Sequence, residues 1–309
     1  MGEFLAIVQS IILPVFVIMA IGYVMQIKFQ MNLQTLAKLN IYFLVPGFIF
    51  VQLYETEVAA SLFGYVLLFF IVYSLLLYGL GEGIARALGL KKEKKTTFTN
   101  SLMFFNSGNY GVPVNDLVFR GDPFAMSIQV IMLTLQNVFL FSYGIFSLQA
   151  ANIGRWKAAA GYFKMPVLYA MLLGVTLNYG NVGIPEFIWI PANYTADAMI
   201  AMALITLGAQ VAQFKITTYL ASIYWSIGSR LIVGPAAAFV IIWLLPVEGV
   251  MAQALFIASA MPTSVNSAVI AQEYKIHPEY ASQVVLFSTL FSALTVSVVI
   301  YLSGIFFGG

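Results

Sequence analysis

Ten apolar runs dominate this chain, at about 4–25, 34–54, 61–86, 97–119, 124–150, 158–178, 195–214, 219–245, 249–271 and 281–306, each near the roughly 20 residues a helix needs to cross a bilayer. In lipid an isolated segment satisfies its backbone only as a helix. The connections are too short to hold a soluble domain between the runs. Charged residues make up 8% of the 309, where soluble domains carry about 25%. The expected class is therefore an all-α integral membrane protein, with the lipid bilayer as its first partner and no nucleic-acid partner.

Basic residues fix the orientation. The odd-numbered connections hold Lys28, Lys38, Arg86, Lys91, Lys92, Lys94, Lys95, Arg155, Lys157, Lys164, Lys215 and Lys275. The even-numbered ones hold Arg120 alone, beside Glu55, Glu57, Asp122, Glu186, Asp197 and Glu248. Odd connections are expected on the cytoplasmic side of a plasma membrane, with both termini outside. The Lys91–Lys95 cluster is mainly a topology signal, with some attraction to anionic lipid. The first run lacks a basic leader and a small-residue cleavage site, so it reads as a retained helix. Ten spans divide into five and five, residues 1–152 and 153–309, and an odd number per half makes any structural repeat inverted.

Two runs contain residues that a simple spanning helix should avoid. The fourth carries FFNSGNYGVPVND, with Asn106, Ser107, Gly108, Asn109, Gly111 and Pro113 near its centre. The ninth carries AMPTSVNSAVIAQEY, with Pro262, Thr263, Ser264, Asn266 and Ser267. Pro113 and Pro262 are 149 residues apart, close to half the chain. Matched Gly/Pro-interrupted spans point to a transporter site, because broken backbone is tolerated only inside protein or beside a wet cavity. Half-helix N-termini favour anions. The candidate substrate-binding residues are Asn106, Ser107, Asn109, Gly111, Pro113, Thr263, Ser264, Asn266 and Ser267. A Pro kink repaired by neighbouring Ser and Asn is the plainer reading, and Pro14, Pro46, Pro166 and Pro235 read as kinks of that kind.

At these residues the sequence resembles the auxin efflux carrier family of membrane transporters, which includes the plant PIN-FORMED exporters. NSGNYGVP (106–113) resembles the family's fourth-helix Asn followed by Gly-x-Pro, and MPTSVNSAVIAQEYKIHPEYAS (261–282) its ninth-helix region. LVPGFIF (44–50), LQN (135–137) and RLIVGP (230–235) are compatible, weaker matches. The resemblance implies ten helices in two inverted repeats, with helices 4 and 9 broken and crossing at mid-membrane. It also implies a scaffold and a transport domain, each built from both repeats, moving as an elevator. A substrate carboxylate would be held by Asn106 near Gly111 and Pro113, and a homodimer would form through the scaffold. The plant proteins have a second Pro where this chain has Ser267, which sets the second break near Val265 to Ser267. The connection at 151–157 is short where the plant proteins often carry a large loop.

Other polar residues keep two readings. Arg230, about a dozen residues into the eighth run, is a substrate counter-charge, or a structural partner of an acid or of helix-end carbonyls. Asp116 is a proton-coupling carboxylate, or a solvated residue beside Arg120. Gln136 and Asn137 line the cavity or bond neighbouring helices. Glu82 and Arg86, four apart, form a structural pair. Gly79, Gly81 and Gly83 suggest close helix packing, since no P-loop accompanies them. His277, next to Pro278, shapes a connection.

The absence of Cys and the single His exclude disulfides, thiolate sites and polyhistidine metal sites, so no metal or cofactor is expected. The function these features point to is a secondary transporter of a small organic anion, and not an enzyme. A sodium- or proton-coupled organic-acid symporter of the bile-acid-carrier type is the alternative. A channel would need measurable conductance, and an intramembrane enzyme a nucleophile–base pair that the chain lacks.

Overall fold

The computed structural model describes residues 2–56, 60–149, 166–214 and 221–308. They form twelve helices: α1 Gly2–Phe29, α2 Leu33–Glu55, α3 Ala60–Ala87, α4 Lys92–Met103, α5 Val112–Phe119 and α6 Pro123–Leu148, then α7 Pro166–Tyr179, α8 Glu186–Gln213, α9 Ala221–Leu244, α10 Gly249–Ser259, α11 Val265–Glu273 and α12 Pro278–Phe307. Among the described residues there is no strand, only one isolated bridge between Phe105 and Thr263. Seven helices are long and apolar enough to cross a membrane: α1, α2, α3, α6, α8, α9 and α12. The fourth and ninth expected runs are each split in two, and the sixth is described from Pro166 onward. The expected division at residue 152, the basic residues Arg155, Lys157, Lys164 and Lys215, and Glu57 lie outside the described residues.

Local chemistry sets several helix starts. Asn32 accepts a hydrogen bond from the Thr35 amide at 2.9 Å to open α2, and Asp122 does the same for Ala125 at 2.8 Å, with Pro123 next, to open α6. Pro14, Pro46, Pro113 and Pro235 share another device: each lies two residues beyond a wide π turn, at Val8–Ile12, Asn40–Leu44, Ser107–Gly111 and Ser229–Val233. Proline removes one backbone donor and crowds the carbonyl four residues back. The wider turn accepts that lost register, and such turns recur at functional sites.

Packing groups most helices into two sets, although α2 also meets α6 and α1 meets α12. In one, α1 lies on α8, and α2 on both α7 and α8. In the other, α3 lies on α4, α6 and α9, α10 on α6, α9 and α12, and α11 on α12. Lipid tails are as apolar as leucine, so close backbone approach, rather than water exclusion, drives such contacts. The α1–α8 contact is the tightest instance. A Cβ on Gly22 would collide with the Ile205 carbonyl, and one on Gly208 with the Met19 carbonyl. The glycines of α3 serve less than expected: Gly81 packs on Thr99, while Gly79 and Gly83 face open space.

Candidate functional site

The two interrupted spans are joined at their interruptions. Helix α4 stops at Met103, and α10 stops at Ser259. The Asn106 amide donates to the Pro262 carbonyl at 2.7 Å, and the Ser264 amide donates to the Phe104 carbonyl at 2.8 Å. Each break thus satisfies the other's exposed backbone, which is what membrane depth demands. Thr263 is tied from behind: its hydroxyl donates to the Ser101 carbonyl at 2.9 Å, and its amide to the Ser288 hydroxyl at 3.2 Å. The second break spans residues 260–264, earlier than the expected Val265 to Ser267, which form the first turn of α11. Pro262 is its cause, because a residue before proline is steered out of the α region. Ser267 folds back to donate to the Ser264 carbonyl at 2.6 Å.

Arg230 accounts for the opposite side of the junction. It is 0% exposed, on the wide turn of α9. Its Nε donates to the Met261 carbonyl at 3.1 Å, Nη1 to the Leu102 carbonyl at 2.8 Å, and Nη2 to the Tyr73 hydroxyl at 3.0 Å and to the Ser259 carbonyl. Its guanidinium carbon stands 5.1 Å from the Phe105 ring centroid and 5.8 Å from that of Tyr73. Leu102 and Ser259 are in the last turns of α4 and α10, the negative ends of both half-helices. Arg230 therefore compensates helix-end carbonyls, with no carboxylate within 4 Å among the described residues.

On the other side of the junction lies a narrow cavity of about 40 Å³. It is lined by Asn106, Ser107, Asn109, Gln136, Asn137, Ser264 and Asn266, all expected from the sequence, and by Asn40, Thr206 and Gln210, which were not. A lone amide or hydroxyl in an apolar run was the available signal for those three. Asn106 is 5% exposed, and its Nδ2 has no acceptor. The Gln136 Nε2 donates to the Met103 carbonyl at 3.2 Å, while its Oε1 has no donor. Gly111, Pro113, Thr263 and Ser267 do not line the cavity. At Gly111 a Cβ would come within 2.6 Å of the Gln129 Nε2, which bonds the Ser107 carbonyl at 2.7 Å.

The other candidates lie apart. Arg230 and Asp116 do not line the cavity. Asp116 is half-buried on α5 and makes no ion pair with Arg120 within 4 Å. Glu82 pairs with Arg86 at 3.1 Å, as expected, and also with Lys95 at 2.7 Å. Lys275 and His277 both take left-handed backbone angles in the turn between α11 and α12.

Buried, cross-bonded breaks beside a polar cavity in a multi-pass helical chain are the arrangement expected of a membrane transporter. The comparisons agree. A family model described as "Membrane transport protein" matches residues 157–300. An uncharacterized transporter of Methanocaldococcus jannaschii is 24% identical over 310 residues, covering 94% of this chain and 96% of the relative. Auxin efflux carrier component 1 of Arabidopsis thaliana is 28% identical over 145 residues, 45% of this chain and 23% of the plant protein. A probable auxin efflux carrier component 5b of Oryza sativa subsp. japonica is 31% identical over 145 residues, 45% of this chain and 39% of the relative. Residues 157–300 thus match a family of membrane transport proteins, and the chain is similar to auxin efflux carriers over 145 residues.

Proposed function

We propose that this transporter carries a small organic anion, a carboxylate, by alternating access at the paired breaks. The observation that carries the reading is the buried, acceptor-less Asn106 Nδ2 on the cavity wall. Two half-helix N-termini reinforce it. The turn after Asn106 and helix α11 after Ser264 both begin without a side-chain cap, leaving N–H donors and positive dipole ends for an anion. Arg230 offsets the opposing negative ends of α4 and α10, so the positive ends act on the cavity without local cancellation.

The ten runs read as two inverted repeats, 1–152 and 153–309, whose broken spans cross. Exchanging the halves turns the α1–α8 contact into α7–α2, and the α3–α4 contact into α9–α10; all four contacts are present. The set α1, α2, α7 and α8 is the scaffold in this reading, and the other set moves as an elevator. The exposed groove of Tyr42, Phe43 and Leu173 on the scaffold is where a second copy would dock. The cavity sits on the seam: Asn40, Thr206 and Gln210 belong to the scaffold and Asn106 to the moving set. About 40 Å³ of open space admits only a few water-sized groups, so substrate entry requires the two sets to part.

The test is Asn106→Ala in proteoliposomes, with substrates chosen by a thermal-shift screen of carboxylates. Loss of an anion's hydrogen bond is expected to weaken affinity at least about tenfold, with unfolding of the ligand-free protein little changed. Unaltered binding and transport would remove Asn106 from the site.

A further inference from the structure

Asn40, Thr206 and Gln210 stand across the cavity from the breaks, on the other helix set. They are 4%, 1% and 6% exposed. Asn40 lies on the wide turn Asn40–Leu44, and its Nδ2 donates to the Thr206 Oγ1 at 3.0 Å. That bond fixes the two residues, yet the Asn40 Oδ1 and the Gln210 Oε1 are both buried without a partner. Turning either amide over exchanges an open acceptor for an open donor and leaves one half unmet. A buried amide without a partner is unfavourable. An apolar group pressed against this wall would bury three polar side chains against carbon. The lining residues include no Lys, Arg, Asp or Glu, so a second full charge would find only neutral dipoles there.

We propose that Asn40, Thr206 and Gln210 form the second half of the substrate site and accept a neutral hydrogen-bonding group. The substrate class is then a hydroxy acid: its carboxylate meets Asn106 and the half-helix N-termini, and its hydroxyl meets Asn40 and Gln210. This rests on the carboxylate reading above and adds the far end of the ligand. The bridging ligand joins the two helix sets, because its ends are held by different ones.

Lactate and propionate share one carbon skeleton and differ by one hydroxyl, which makes them the deciding pair. Binding to purified wild-type protein is measured by thermal shift and by competition for uptake in proteoliposomes, with indole-3-acetate as an aromatic acid and malonate as a doubly charged one. Lactate is expected to bind at least about tenfold more tightly than propionate, with indole-3-acetate and malonate weaker than lactate. Asn40→Leu and Gln210→Met should erase the lactate preference and leave propionate affinity unchanged or improved, whereas Asn106→Ala should weaken both acids. Equal binding of lactate and propionate by the wild type would overturn the polar wall while leaving the carboxylate reading standing. Preferred binding of indole-3-acetate or malonate would do the same. Binding of no carboxylate, with Asn106→Ala indistinguishable from wild type, would overturn both. The wild-type panel decides the matter even if a wall variant fails to fold.

Discussion

Replacing Arg230 separates a structural cation from a substrate-binding one. In Arg230→Met the Leu102 and Met261 carbonyls lose the bonds seen at 2.8 and 3.1 Å, while the Ser259 carbonyl keeps the Tyr73 hydroxyl at 3.1 Å. Two stranded buried carbonyls cost about 1–3 kcal/mol each. Removing the cation from two half-helix C-termini costs roughly 0.5–1 kcal/mol per end. Against this, the methionine variant no longer buries a guanidinium, a relief of several kcal/mol in principle. The stranded carbonyls and helix ends win, because bonds to three carbonyls and a hydroxyl already compensate the charge in the native protein. The net expectation is a loss of about 3 kcal/mol, read as a fall of roughly 5 °C in apparent Tm by thermal unfolding in detergent. Arg230→Lys keeps the charge but lacks the planar fork, so its fall should be about half as large. A substrate counter-charge would behave in the opposite way: Arg230→Lys would keep the Tm and lose anion affinity. That pattern, or an Arg230→Met protein with wild-type Tm, would refute the assignment of Arg230 to the helix ends.

Two further expectations follow from the packing and the cavity. Gly208→Ala drives a methyl into the Met19 carbonyl; α1 and α8 must then separate, and a stability loss of several kcal/mol, seen as poor yield and lowered Tm, is expected from overpacking. A surface alanine change on α12, such as Leu294→Ala, is the control that should leave both untouched. The chain has no cysteine, so Ala37→Cys at the cavity edge gives a clean probe. An impermeant maleimide should label it from the side carrying Lys28, Lys38 and Lys95, and a bound carboxylate should slow the reaction. Labelling from the opposite side alone would reverse the proposed orientation.

Much of the architecture is legible in the sequence because lipid leaves few choices. Apolar run length forces helices, and the Gly/Pro/Asn clusters at 106–113 and 262–267 mark where helices cannot continue. Asn106, Ser107, Asn109, Ser264 and Asn266 line the cavity wall, while Thr263 and Ser267 beside the same break turn back to backbone carbonyls. Sequence reasoning went astray where neighbouring turns compete. The second break begins at Ala260 rather than Val265, since Pro262 steers the residue before it and Ser264 can open the next helix.

Run length, charge bias and the half-chain spacing of Pro113 and Pro262 by themselves determined that the chain is helical, crosses a membrane and is interrupted in two matched spans. Tertiary structure alone decided what the interruptions touch. The bonds from Asn106 to Pro262 and from Ser264 to Phe104 link residues about half a chain apart. Arg230 reaches Leu102, 128 positions away, and Asn40 reaches Thr206, 166 positions away. No local pattern encodes such pairings; they arise when glycines such as Gly22 and Gly208 let backbones touch, and when unpaired carbonyls and amides find their partners in one another.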